Sequence, residues 1–254
     1  MRCIFYLVAF ALLTAPSGAL AQSSTSLDAD DGALHHIVGG KPATLFQKPD
    51  STSRAYVELD FQEPVRVVEQ AEDGWREVTT RDGARGFVRA NALSNVWIRI
   101  DKREQVVQVL RGARLVRTFP ADFGTNVFAD KQRRGSLTAP DHWRTPEGRF
   151  FIVEKNSNSE FHRALVLNYP TAEDARRGLR NDLISRGEYE AITRADSART
   201  RPPMDTALGG LIEIHGDGTG GTANWTHGCV ALRNEAIDWL WLRTRVGTPV
   251  VIEP

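Results

Sequence analysis

Short stretches of alternating apolar and polar residues, separated by turn residues, dominate the first half of the chain. Between residues 42 and 93, five such stretches follow one another, and Asp-Gly pairs stand at two of the turns. Alternation with a period of two is typical of half-buried strands, and closely spaced Asp-Gly turns favour antiparallel pairing. The pattern predicts a small antiparallel barrel.

A second β-rich region begins at residue 96. Its first three alternating stretches predict a strand meander. Later apolar stretches bounded by turn residues predict more strands, so the fold class is expected to be mainly β with a few helices. The strands expected from residue 96 onward cover 96–101, 105–110, 115–119, 149–154, 165–169, 211–214 and 247–252.

Two segments of this second region have helical character instead. Residues 171–200 are polar and charged, and Thr171 can cap the start of a helix. This excursion is either a surface decoration or a lid over a substrate groove. A second helix is expected to run from Asn234, as its capping residue, to about residue 243.

The first 21 residues have the layout of a secretory signal peptide. An apolar run follows Arg2, and the small residues Ala19 and Ala21 precede a cleavage site before Gln22. The alternative, a membrane anchor, is disfavoured because the apolar run is short for a bilayer span. We therefore expect an exported chain in which residues 22–40 form a linker.

Composition removes several classes of function. The 254 residues carry 32 Lys+Arg and 32 Asp+Glu, so the balanced charge gives no general attraction to nucleic acid or anionic membranes. The two cysteines are too few for a disulfide framework. Cys3 lies in the predicted signal peptide, which leaves Cys229 as the one thiol of the exported chain.

Cys229 needs a base if it is to act as a nucleophile, because only the thiolate is reactive. His215 stands at the end of a predicted strand, before the glycine-rich loop 216–224, and is the best candidate. The amides of Gly228 and Cys229 could hold an oxyanion. Two alternatives stay open. Cys229 could be a buried structural cysteine, or it could bind zinc with His215, His227 and Asp217, although no zinc motif is present.

The order of motifs in the first region resembles the bacterial SH3-like domain. The matching features are Gly74-Trp75, the Asp82-Gly83 turn and Gly86-Phe87-Val88. The resemblance implies an SH3-like barrel at residues 41–95 that either binds the cell wall or serves as a spacer.

The second region resembles the L,D-transpeptidase catalytic domain of the YkuD type. The resemblance rests on Ile214-His215-Gly216, Thr226-His227-Gly228-Cys229-Val230, Asn234 and Val246-Gly247-Thr248-Pro249-Val250, together with Gly124 and Thr145-Pro146-Glu147-Gly148 upstream. It implies a β-rich catalytic domain at residues 96–254 and a periplasmic location, and no cofactor or metal is expected.

The same resemblance implies the roles of individual residues. Cys229 would be the nucleophile and His215 its base, with the ring of His215 oriented by the Gly216 carbonyl. His227 and Gly228 would support the pocket and the oxyanion hole. Substrate contacts are expected from the residues around the nucleophile, namely Trp225, Thr226 and Asn234.

The implied partners are peptidoglycan stem peptides, joined by 3→3 cross-links. Many family members have Arg two residues after the cysteine, where this chain has Ala231. That departure leaves the acceptor open among an amine, water and the lysine of a wall-attached lipoprotein. A non-catalytic wall-binding protein, acting through the SH3-like domain, is the remaining alternative.

Overall fold

The computed structural model describes residues 34–70 and 74–254. The predicted signal peptide lies outside the described residues, as does most of the predicted linker. The prediction of a mainly β fold with a few helices is confirmed, because curled sheets dominate the described chain. Within these residues, no helix is both long and apolar enough to cross a membrane.

The first sheet has seven strands and its own apolar core. Strand β1 falls inside the segment expected to be a linker, where it pairs with β4 and β7. It was not expected as a strand because its two histidines hide the alternation. The sheet order is β3-β2-β6-β5-β4-β1-β7. The strands are β1 (Leu34–Ile37), β2 (Ala43–Phe46), β3 (Ala55–Leu59), β4 (Pro64–Gln70), β5 (Trp75–Thr79), β6 (Arg85–Arg89) and β7 (Leu93–Ser94).

The remaining strands form a second, larger sheet and a small two-stranded one. The larger sheet has the order β10-β9-β8-β17-β12-β13-β14-β16, and β11 pairs with β15. Ile98, Ile152, Leu165 and Val250 are among its fully buried core residues. The strands are β8 (Val96–Asp101), β9 (Val106–Arg111), β10 (Arg114–Pro120), β11 (Phe123–Gly124), β12 (Gly148–Asn156), β13 (Ala164–Leu167), β14 (Glu213–His215), β15 (Asn224–Thr226), β16 (Val230–Ala231) and β17 (Pro249–Glu253).

Three α-helices accompany these sheets in the described chain: α1 (Ala172–Arg180), α2 (Arg186–Ser197) and α3 (Asn234–Trp241). The predicted cap at Thr171 is confirmed, since its hydroxyl accepts from the Asp174 amide in a reciprocal capping box. The predicted cap at Asn234 is wrong. The capping position of α3 belongs to Arg233, and the Asn234 side chain bonds to Asp217 instead.

The two larger sheets are joined by direct contacts. The rings of Phe61 and Phe151 meet edge to face with centroids 6.1 Å apart. Gln62 Nε2 donates to the carbonyl of Gly247 at 3.1 Å, and the amide of Gly39 donates to Val246 O at 2.9 Å. Gly247 has φ +94°, and any side chain there would run into the Phe61 ring. The junction therefore combines apolar packing with backbone hydrogen bonds.

Candidate active site

His215 is fixed at the end of β14, in the interior of the second sheet. It is 1% exposed, and its ring stacks on Phe161 with centroids 4.4 Å apart. Nδ1 lies 2.7 Å from the Gly216 carbonyl oxygen. Because a carbonyl can only accept, Nδ1 carries the hydrogen and Nε2 keeps a free lone pair. The ring is thus held in the tautomer that can accept a proton at Nε2.

Position 216 has room only for glycine, because the residues beside His215 pack closely against its backbone. A Cβ on Gly216 would lie 2.5 Å from Asn234 Oδ1 and 2.7 Å from the Phe161 carbonyl oxygen. Its amide donates to the carbonyls of Phe161 and Arg163. A side chain at this position would push the strand end, and with it the histidine, out of place.

Cys229 follows β15 in a tight turn held by Thr226. The Thr226 hydroxyl donates to the Cys229 carbonyl at 2.7 Å and accepts from the Gly228 amide at 3.2 Å. Gly228 has φ +126°, a conformation that side chains rarely adopt. Cys229 Sγ donates to the Leu211 carbonyl at 3.3 Å. The thiol is therefore held between the turn at 226–229 and the backbone of Leu211, which precedes β14.

The pKa shifts of both groups favour their neutral forms near pH 7. Burial of the sulfur against the 211–213 backbone raises the pKa of the Cys229 thiol to about 12, and the Glu213 carboxylate adds to the rise. Burial also lowers the pKa of His215, a shift that its hydrogen bond to the Gly216 carbonyl partly offsets. A neutral thiol thus faces the same cavity as a neutral imidazole, and activation requires transfer of the thiol proton.

His215 and Cys229 line one cavity of about 490 Å³. Neither α1 nor α2 contributes to its lining, which favours the surface decoration over the lid. Two carboxylates, Glu160 and Glu213, line the cavity and no Lys or Arg does. The lining consists of Asn156, Asn158, Ser159, Glu160, Phe161, Leu211, Glu213, His215, Trp225, Thr226, His227 and Cys229.

The structure brings most of the residues expected at the site to this cavity. The His227 ring stacks on Trp143 with centroids 4.0 Å apart, and Trp225 is 39% exposed at the cavity edge. Thr226 is buried and holds the turn. Asn234 is not part of the lining. It anchors Asp217, accepting from its amide at 2.7 Å and donating to its carboxylate at 3.0 Å.

The two amides expected to hold an oxyanion differ in their hydrogen-bond partners. The Gly228 amide is taken by the Thr226 hydroxyl, whereas the Cys229 amide has no partner among the residues that the structure describes. Ala231, which stands in place of the expected arginine, is fully buried in β16 and exchanges both backbone hydrogen bonds with Asp122. Position 231 therefore faces the protein interior in this chain.

Asp122 organises the glycine-rich loop, a role that its sequence context does not reveal. Its fully buried carboxylate accepts four hydrogen bonds: from the amide and hydroxyl of Thr219, the amide of Ala223 and the indole of Trp225. Burial raises the pKa of Asp122, but these donors outweigh it and hold the pKa below the ordinary value. The carboxylate thus ties β11 to the loop that separates His215 from Cys229.

Asp122→Asn is expected to lower the free energy of unfolding by roughly 3 kcal/mol, because an amide would turn N–H groups toward buried donors. Urea denaturation measures the loss, with the exposed Asp205→Asn as a control expected to change stability by less than about 0.5 kcal/mol. Because the folded pKa is depressed, the charge of Asp122 stabilises the protein above the unfolded pKa. This contribution disappears as pH falls through the folded value. Equal losses in both variants would contradict the role of Asp122.

The described residues contain no cluster of side chains that could serve as the ligands of the zinc alternative. In residues 34–70 and 74–254, no three His, Cys, Asp or Glu side chains lie close enough together to hold a metal ion. His215 Nδ1 is engaged by Gly216, and the ring of His227 lies against Trp143.

The second sheet thus places a strand-end histidine and a cysteine in the lining of one cavity. The family model of the L,D-transpeptidase catalytic domain matches residues 95–252, and that of the bacterial SH3 domain matches residues 39–95. The first match covers 158 of the 254 residues. The chain belongs to the L,D-transpeptidase family, whose catalytic domain is that of peptidoglycan-modifying enzymes.

Solved structures that are similar to this chain share little sequence with it. An L,D-transpeptidase from Xylanimonas cellulosilytica is 20% identical over 63% of this chain and 61% of its own, with a TM-score of 0.38. A protein from Bdellovibrio bacteriovorus is 24% identical over 63% and 48%, with a TM-score of 0.41. An L,D-transpeptidase from Mycobacterium smegmatis is 14% identical over 84% and 78%, with a TM-score of 0.39.

The chain thus spans less than two thirds of the first two structures. A comparison with curated proteins found no match.

Proposed function

We propose that this protein is an exported cysteine acyltransferase that forms 3→3 cross-links between peptidoglycan stem peptides. The observation that carries the proposal is the shared cavity. His215, with Nδ1 bound to the Gly216 carbonyl, and Cys229 both line it. Family membership supplies the substrate class, and the periplasm is the proposed compartment. The proposed domains are the SH3-like domain at 41–95 and the catalytic domain at 96–254.

The first half-reaction forms a thioester. His215 Nε2 takes the thiol proton as Cys229 Sγ attacks the carbonyl carbon of the third residue in a tetrapeptide stem. The Cys229 amide donates to the developing oxyanion. The amide bond to the terminal D-alanine then breaks, and His215 returns the proton to the leaving amine. The stem acyl group remains on sulfur.

The second half-reaction transfers that acyl group to an acceptor. The ammonium of a second stem first gives up one proton to solvent, and the neutral amine then attacks the thioester carbon and loses a second proton to His215. The carbon–sulfur bond breaks, and the thiol is regenerated with that proton. Glu160 and Glu213 in the cavity lining favour a cationic ammonium-bearing partner over an anionic one. We therefore propose an amine as the acceptor.

The test is incubation of the protein with purified muropeptides, followed by mass spectrometry. We expect a 3→3 linked dimer and free D-alanine in equal amounts. A tripeptide product without any dimer would contradict the proposed transferase activity and indicate an L,D-carboxypeptidase. Release of a wall-attached lipoprotein from whole peptidoglycan would indicate an amidase. No product from either substrate would favour a wall-binding protein that acts through its SH3-like domain.

A further inference from the structure

Lys131 is a buried cation that no carboxylate neutralises in the described chain. It is 3% exposed, and Nζ donates one hydrogen bond, to the His142 carbonyl at 3.2 Å. Among residues 34–70 and 74–254, no Asp or Glu forms an ion pair with it. Burying an ammonium without a counter-ion is costly, so a group that develops negative charge nearby would be strongly stabilised.

The same region contains a buried lysine with ordinary partners. Lys102 is fully buried, and its Nζ lies 2.6 Å from Glu147 Oε1 and 2.9 Å from the Ala129 carbonyl. Its charge is therefore neutralised within the fold. Lys131 and Lys102 thus form a matched pair: both are buried, but only Lys131 has a charge that is left unpaired.

Lys131 lies between two segments that contact the nucleophile's turn. One is 142–144, whose His142 carbonyl accepts from Lys131 and whose Trp143 ring stacks on His227. The other is 209–211. A Cβ on Gly209 would lie 3.2 Å from Lys131 Cε, and the Leu211 carbonyl accepts from Cys229 Sγ. Lys131 therefore sits behind the wall of the cavity that carries the thiol.

We propose that Lys131 is a positioning residue whose ammonium stabilises negative charge on the Cys229 sulfur from behind the cavity wall. The proposal deepens the function proposed above, because it assumes that Cys229 is the nucleophile. Lys131 does not line the cavity, and it would act through the field of its charge without contact to substrate.

The electrostatics of both groups agree with this geometry. Burial lowers the pKa of Lys131 to about 8. Cys229 and Asp130 raise it, and Arg134 and Arg144 lower it further. At the other end, Lys131 lowers the pKa of Cys229, whereas burial and Glu213 raise it. The coupling is reciprocal, so the thiolate favours the ammonium as much as the ammonium favours the thiolate.

This coupling gives the thiol a distinctive pH profile. The rate at which iodoacetamide alkylates Cys229 follows the thiolate fraction, which rises tenfold per pH unit below the thiol pKa. In the wild-type protein we expect a shallower stretch beginning near pH 8, where Lys131 loses its charge. His215 does not contribute there, because its pKa is lowered from 6.5 and it stays neutral.

Lys131→Met is expected to slow alkylation about tenfold at pH 7, as for loss of an opposite charge worth about one pKa unit. The difference should close above pH 9, and the shallow stretch should vanish. Lys131→Arg should remain close to the wild-type rate at pH 7, also without the shallow stretch, because a guanidinium keeps its charge. Glu213→Gln should accelerate alkylation, since it removes the charge that opposes ionisation.

Lys102→Met is the matched control. It is expected to reduce stability by leaving Glu147 unpaired, while the alkylation profile of Cys229 in the folded protein stays unchanged. Peptide mass spectrometry follows alkylation at Cys229 and separates it from Cys3. Circular dichroism at each pH verifies that the variants are folded. If Lys131→Met does not fold, the pH dependence of Cys229 alkylation in the wild-type protein is sufficient to test the proposal.

Three results would overturn the proposal. One is a wild-type profile that rises uniformly through pH 8. Another is a Lys131→Met profile displaced equally at every pH, which indicates a purely structural role. The third is an equal displacement in Lys102→Met. Alkylation needs no peptidoglycan, so these outcomes are independent of the muropeptide assay and of any failure of the proposed function.

Discussion

Cys229→Ala is expected to abolish acyl transfer, with a loss of about 10³-fold or more in kcat/KM. Alanine leaves the turn intact, because the hydrogen bonds from Thr226 to the Cys229 carbonyl and from the Gly228 amide to Thr226 do not involve the sulfur. The sulfur itself makes one hydrogen bond, to the Leu211 carbonyl. The variant should therefore fold and bind stem peptides but form no thioester.

Intact-protein mass spectrometry provides the measurement for this variant. A carbapenem is a strained acylating agent, and we expect it to add its mass to the wild-type protein and not to Cys229→Ala. Cys3→Ser, made in the full-length chain that still carries the predicted signal peptide, is the matched control, because Cys3 is the other cysteine of the sequence. This variant should keep the adduct. An adduct that persists in Cys229→Ala, or cross-linking that survives the substitution, would refute the proposed nucleophile.

His215→Gln should reduce the rate of thioester formation by about 10²- to 10⁴-fold, the range for loss of a general base. Glutamine can replace the hydrogen bond to Gly216 but cannot take a proton from a thiol whose pKa is about 12. The pH profile of kcat/KM gives a second readout. Because the pKa of His215 is lowered from 6.5, wild-type activity should fall on the acid side only below that value, as the ring becomes protonated.

His227→Gln is the matched comparison for this experiment. His227 also lines the cavity, but its ring stacks on Trp143 and stands outside the proposed proton path. Its variant should keep the acid limb of the wild-type profile, even if substrate binding weakens. If His215→Gln keeps the acid limb of the pH profile, or if His227→Gln loses it, the result would contradict His215 as the base and favour His227 in that role.

Local patterns were enough to predict most of the secondary structure. Alternation located most strands of the two large sheets, where one face of a strand is buried, but it missed β1 and the two-residue strands β7 and β16. Thr171 indicated its helix start through a capping box completed within three residues. The same reasoning predicted the wrong capping residue for α3, at Asn234. Its side chain is drawn to Asp217, seventeen positions away, and a distant partner of this kind cannot be read from helix propensity.

The candidate site was predictable only as far as its motifs extend. Cys229 and His215 stand out because their chemistry is rare and their neighbours are glycines. Asp122 and Lys131 do not, since each depends on segments that meet only after folding. Asp122 receives its donors from residues 97 to 103 positions further along the chain. Lys131 is buried by the 142–144 and 209–211 segments, and neither is marked by any periodicity.

The junction around Phe61 and Gly247 has a thermodynamic consequence. Because Phe61 packs on Phe151, and Gln62 and Gly39 bond to the backbone at 246–247, melting of the small sheet would strip apolar cover and hydrogen-bond partners from the large one. Residues 34–254 should therefore melt in one cooperative transition, with calorimetric and van't Hoff enthalpies in agreement. If the catalytic region is produced without the seven-stranded sheet, the Phe151 ring loses the cover of Phe61. We expect this shortened protein to be less soluble.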